Sequence, residues 1–236
     1  MLTLLLTAVI PALVLVYFIY RKDKYEKEPV NILLKGFGFG ALSALASFFI
    51  SVPLGTLGFY PSEPSTALDS IRVAVFGAAV PEELAKFFFL WLLLRNNKYY
   101  NEYVDGIVYA VCVGMGFAAF ENVGYMFTNL DEWASIGILR ALFPIPGHFF
   151  FAVSMGYFYS NASFGKPSAK GLNIALAIIV PIALHAVFDA LLMISTIAGA
   201  AGSILMLFLG FFAWMAIKSK KRFDEQLGKD KALDKS

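Results

Sequence analysis

Apolar runs of about twenty residues recur seven times along this chain, each long enough to cross ~30 Å of hydrocarbon. They fall at 2–20, 35–59, 71–94, 104–127, 139–159, 172–197 and 202–217. Composition supports lipid as the solvent: 59% of the 236 residues are hydrophobic and only 15% charged, against ~25% charged in a soluble domain. The expected fold is an all-α bundle of about seven membrane-spanning helices. The first run has no basic leader or small-residue cleavage site and ends at "RKDK", so it reads as an uncleaved helix rather than a signal peptide.

Charge placement predicts the orientation. Sixteen of the nineteen basic residues lie in the connections 21–35, 95–98 and 166–170 and in the stretch after Ile217. The alternate connections "YPSEPSTALDS", "TNLDEWAS" and "STIAGAA" contain no Lys or Arg. The positive-inside rule then puts the N-terminus outside and the C-terminus in the cytoplasm. No connection is long enough for a soluble domain. Residues 1–217 read as one transmembrane domain and 218–236 as a charged cytoplasmic tail, a frayed helix near anionic headgroups. The expected surroundings are a lipid bilayer; no nucleic-acid partner is expected, and oligomeric state is not legible. Cys112 is the sole cysteine and reads as a small core residue. The glycines of "GFGFG" (Gly36, Gly38, Gly40) read as close helix packing.

Against this background a few residues do not belong. Glu82, Glu83 and Lys86 lie in the third run, Glu121 in the fourth, His148 in the fifth, and His185 with Asp189 in the sixth. An ionised side chain at a helix centre costs ~2.5–3.5 kcal/mol on insertion scales, so these groups need one another. Lys86 is three and four residues from the two glutamates, and Asp189 is four from His185, so each set shares a helix face. Pro81 removes a helical hydrogen bond beside the acids. At ~1.5 Å of rise per residue, Glu82, Glu121, His148 and His185 all fall in the outer half of the membrane or at its middle. One outward-facing polar pocket is expected. Arg72, Arg140 and Asp105 sit near helix ends and read as snorkelling to the interface, with Asp105 also suited to capping; Asn122 reads as a cross-helix hydrogen bonder.

Two imidazoles and a carboxylate are a set that Zn²⁺ accepts while keeping a position open for water. His148, His185 and Glu121 or Glu82 are the candidate ligands, with Glu83 or Glu82 as base and a cation to steady the oxyanion. Without metal, two close carboxylates and a histidine can still activate water. Both routes lead to hydrolysis. A proton- or ion-coupled transporter would use similar buried groups, but no internal repeat is visible. A non-catalytic scaffold that binds a partner's transmembrane helix is the third reading.

"PEELAKFF" (Glu82, Glu83, Lys86), "FAAFEN" (Phe117, Glu121, Asn122), "PGHFFFA" (His148) and "HAVFD" (His185, Asp189), in this order, resemble the PrsW family of bacterial intramembrane proteases, related to the CAAX protease and Abi proteins. The resemblance covers about 67–192, which it implies is the catalytic core, and it implies residence in the bacterial cell membrane. It implies site-one cleavage of a single-pass, membrane-anchored anti-sigma factor near the outer face, in stress signalling. It assigns the paired acids Glu82 and Glu83 to the catalytic motif and His148 and His185 to the other essential polar groups. The wider superfamily pattern EExxxR, FxxxH, HxxxN is altered here. The cation is Lys86, one residue closer; Glu121 stands for the histidine of FxxxH; and the last motif ends in Asp189. These departures point away from a prenyl-protein substrate and leave metal-dependent and glutamate-type mechanisms both open. HExxH, GxSG-type and GxGD signatures of other intramembrane proteases are absent.

Overall fold

A computed structural model describes residues 1–197 and 201–233, and among these the protein is helical throughout, without strands. Nine α-helices follow in order: α1 Leu2–Lys22, α2 Val30–Thr56, α3 Ala67–Arg72, α4 Val80–Leu94, α5 Tyr103–Thr128, α6 Trp133–Leu142, α7 Pro144–Phe164, α8 Lys170–Ile197 and α9 Ala201–Leu233. A π-helical stretch, Val73–Ala79, joins α3 to α4 without a break, and a 3₁₀ turn at Pro167–Ala169 leads into α8. Six rods are long and apolar enough to cross a membrane: α1, α2, α5, α6 with α7, α8 and α9. The seventh expected span, from α3 through α4, carries Glu82, Glu83 and Lys86.

The centre of the bundle is α5. It is buried over nearly its whole length and packs against α7, α2 and α1. Small residues make this possible. A Cβ on Gly116 would lie 1.9 Å from the Phe37 carbonyl oxygen of α2, and one on Gly40 would lie 2.0 Å from that of Val113. Gly156 of α7 meets Gly106 in the same way, at 2.3 Å. Without a hydrophobic drive between helices in lipid, backbone approach of this kind is what holds them. The outward faces carry the large side chains: Phe48 and Phe49 of α2 and Met206 and Leu207 of α9 are exposed, as lipid contact requires. Gly38, by contrast, has open space around it, so only part of "GFGFG" serves packing.

Three boundaries differ from the sequence expectation. The fifth run is split: its first residues end a separate helix, α6, that begins at Trp133, because Pro144 and Pro146 force a new start at α7. The Thr66 hydroxyl and the Asp69 carboxylate cap α3 reciprocally, so the third rod begins at Ala67 rather than at 71. The stretch after Ile217 is ordered helix to Leu233 rather than frayed. Gln226 is fully buried and donates to the Tyr157 carbonyl (2.9 Å), while Asp230 accepts from the backbone N–H groups of Tyr103 (2.7 Å) and Val104 (2.9 Å). A carboxylate at the first turn of α5 is well placed for its dipole. Asp105 caps the same end through Asn101 and Glu102 N–H groups, and Cys112 is a buried core residue. Part of the expected outer connection 195–201 lies outside the described residues.

Candidate active site

The site starts from a break in a helix. Pro81 has no N–H to give to the carbonyl four residues back, and its ring crowds that oxygen. The preceding seven residues accordingly run as π-helix rather than α, a widening often found at functional sites. The wide turn delivers Glu82, Glu83 and Lys86 into the space between α4, α5, α7 and α8.

Lys86 is buried and its ammonium touches three partners: Glu83 Oε1 at 2.8 Å, Glu82 Oε2 at 3.3 Å and His148 Nδ1 at 3.1 Å. It also lies 3.7 Å above the Phe117 ring, a favourable cation–π position. An ammonium can only donate, so Nδ1 of His148 accepts and its Nε2–H donates to Glu121 Oε2 at 3.0 Å. His185 lies against Phe151, stacked with ring centroids 4.7 Å apart. Its Nδ1–H donates to Glu83 Oε1 at 3.0 Å. Its Nε2 then faces Asp189 Oδ2 at 3.3 Å and Glu82 Oε2 at 3.9 Å.

All seven residues singled out from the sequence therefore meet in one place. They differ in access. The side chain of Glu83 is 1% exposed, whereas those of Glu82, Glu121 and Asp189 are 13%, 21% and 26% exposed. The last three face a cavity of about 290 Å³, which His148, His185 and Arg140 also line.

Arg140 is the residue that sequence reasoning misplaced. It does not snorkel to the interface. Its Nη2 pairs with Glu121 Oε2 at 2.7 Å, and its Nε donates to Asn122 Oδ1 at 2.7 Å. Asn122 in turn donates to the Ala8 carbonyl of α1 at 3.1 Å, as its cross-helix reading expected. Arg140 sits in the last turn of α6, which packs against α1, α5 and α7. Arg72, also read as snorkelling, donates from Nε to the Phe59 carbonyl at 2.8 Å and pins the loop before α3.

Metal suitability can be judged from the donors. One donor atom from each of Glu82, His148 and His185 lies within 4.8 Å of the others. Four carboxylates (Glu82, Glu83, Glu121, Asp189) face only two fixed cations, Lys86 and Arg140. This oxygen- and nitrogen-rich set suits a divalent cation. His185 Nε2 faces carboxylate oxygens of Asp189 and Glu82, so either a proton on that nitrogen or a cation bridges them. Glu121, expected as a possible ligand, is not in the converging group, since Arg140 and His148 share its Oε2.

A bundle that holds acids, imidazoles and cations around a cavity at a helix break defines a membrane-embedded hydrolase. Residues 28–217 match the family described as PrsW family intramembrane metalloprotease. The chain is 32% identical to Protease PrsW of Geobacillus kaustophilus over 94% of each chain. It is 36% identical to Protease PrsW of Clostridioides difficile over 82% of this chain and 80% of that one. Protease PrsW of Bacillus subtilis is 28% identical over 94% of this chain and 96% of its own. No solved structure matches. The chain belongs to the PrsW family and is an intramembrane protease, acting on a membrane protein within the lipid. Membership selects the protease over the transporter and scaffold readings.

Proposed function

We propose that this protease hydrolyses a peptide bond of a single-pass membrane protein near the outer membrane face, as the site-one cleavage of an anti-sigma factor. The outer position rests on the lysine- and arginine-free alternate connections, which put the N-terminus outside and the C-terminus in the cytoplasm of a bacterial cell. The observation that carries the chemistry is the convergence of Glu82, His148 and His185 beside a cavity that also holds Glu121 and Arg140.

In this reading Glu82, His148 and His185 would hold a zinc ion, which would take the place of either the Lys86 contact at His148 Nδ1 or the proton that its Nε2 gives to Glu121. Such an ion supplies a bound water of lowered pKa and polarises the peptide carbonyl. Glu83 is a positioning residue: by accepting from His185 Nδ1 it fixes the tautomer that leaves Nε2 free. Lys86 pairs with both glutamates. Glu121, in place of the Glu83 or Glu82 expected from the sequence because Glu83 is sealed from the cavity and Glu82 serves as a ligand, takes a proton from the attacking water and returns it to the leaving amide nitrogen, so that one C–O bond forms and the C–N bond breaks. Arg140 lies where charge develops on the carbonyl oxygen. Asp189 holds the exposed edge of His185.

The test is purified protein in detergent with a tagged single-pass anti-sigma factor from the same genome. Wild type is compared with Glu82→Ala, His148→Ala and His185→Ala, with metal content measured in each. We expect cleavage by wild type, loss of both zinc and cleavage in the variants, and restoration of chelated wild type by Zn²⁺. Unimpaired cleavage by all three variants rejects the assignment. Cleavage lost with metal content unchanged points to the metal-free glutamate route.

A further inference from the structure

A second, larger cavity of about 480 Å³ adjoins the first at the same two glutamates, between α2, the π-helical stretch and α5. The two cavities share Val73, Ala78, Glu82, Glu121 and Tyr125. Their linings contrast. The smaller one holds Arg140, His148, His185 and Asp189; the larger has no charged residue in its lining except the two shared acids. Its rim carries Phe48 and Phe120, 59% and 40% exposed, so it opens sideways toward lipid. Resting on the protease reading above, we infer that this groove receives the outer end of the substrate's membrane-spanning helix and presents the adjoining peptide bond to Glu82 and Glu121.

Size and chemistry fix the form of the occupant. A helix of ~10 Å diameter and 5.4 Å pitch fills roughly 420 Å³ per turn, so the groove holds about one turn, not a whole span. Three of its five hydroxyls are already spent: Ser47 donates to the Ala44 carbonyl, Tyr60 to that of Ser51 and Thr128 to that of Gly124, which leaves Ser51 and Tyr125, too few to pair an extended backbone. A chain entering from lipid must therefore satisfy its own backbone there, which a helical turn does and an extended strand does not. Unwinding occurs only where the chain reaches the polar cavity beyond the acids. Gly124 of α5 lies in the groove, and a Cβ there would meet no atom within 4 Å. This glycine weakens its helix without serving any packing contact; what it provides is room.

That room makes a test. Gly124→Leu fills the groove without displacing a neighbour, and Gly38→Leu, also in open space, is the control. With the anti-sigma factor we expect Gly124→Leu to raise KM at least tenfold, with zinc content and Tm unchanged, and Gly38→Leu to behave as wild type. A Gly124→Leu enzyme with wild-type KM overturns the groove while leaving the protease reading intact. An independent arm places a photoreactive benzoylphenylalanine at position 120, or at the lipid-facing position 206. The probe is a biotinylated single-span peptide of about 20 apolar residues in liposomes. Cross-linking to the peptide from 120 but not from 206 supports the groove even if no cleavage is seen. Equal labelling at both positions, or labelling of phospholipid or a second copy alone, overturns it.

Discussion

Glu82 and Glu83 are adjacent in the chain yet have opposite surroundings, and the difference assigns their roles. Glu83 is sealed between Lys86 and His185; Glu82 faces the cavities. Glu83→Gln keeps the shape but loses the charge that orders His185, and is expected to cost about 10–100-fold in zinc affinity, read by competition with a chromogenic chelator. Arg140→Ala is expected to lower kcat by about 100-fold with little change in KM, because it removes a charge at the reacting bond rather than a binding contact. Arg140→Lys is expected to recover only part of this, since one ammonium does not reproduce the fork that joins Glu121 to Asn122. The seven polar misfits were legible in the sequence because charge in lipid demands a reason. Arg140 was not, because near the end of an apolar run an arginine has an innocent explanation, and only the direction of α6 removes it.

At the level of elements, the apolar runs announced the spans, and spacing announced which faces carry the chemistry. The sequence was silent on pairing: an apolar helix gives no sign of its neighbour unless small residues mark the contact. Here they do at Gly40 and Gly116, where α2 and α5 touch backbone to backbone. Gly116→Ala is expected to destabilise by ~3 kcal/mol or more, seen as loss of monodisperse protein in detergent, whereas Gly38→Ala is expected to be neutral. The helix over 218–233 was expected but read as frayed, because "KSKKRFDEQLGKDKALDKS" looks solvated throughout. Only the partners of Gln226 and Asp230 reveal that one of its faces is buried.

Across the whole molecule, acids gather at the end of the bundle away from the active site. Glu28 lies in the α1–α2 connection, hydrogen bonded to buried Tyr109, and burial pushes its carboxyl up to about 7. Glu102, before α5, is also pushed up to about 7 by burial, and Asp23 is raised for the same reason. The sign follows from proton counts. Between the ordinary carboxylate value of ~4.5 and 7 the folded protein keeps protons that the unfolded chain has released, so stability falls as pH rises through that window and levels above it. Tm in detergent is expected to decline from pH 5 to pH 8, and Glu28→Gln to flatten the decline. A Tm that rises over this range contradicts the assignment.

The π-helical stretch has a consequence for how such an enzyme can be inactivated. An α-helix turns about 100° with each residue, and the stretch Val73–Ala79 stands immediately upstream of the acids. Rewinding those seven residues as regular α-helix, with none removed, packs more turn into the same stretch and swings the whole carboxylate pair about the helix axis. Every side chain of the reaction would still be present and the bundle still assembled, but the acids would be dialled past their partners.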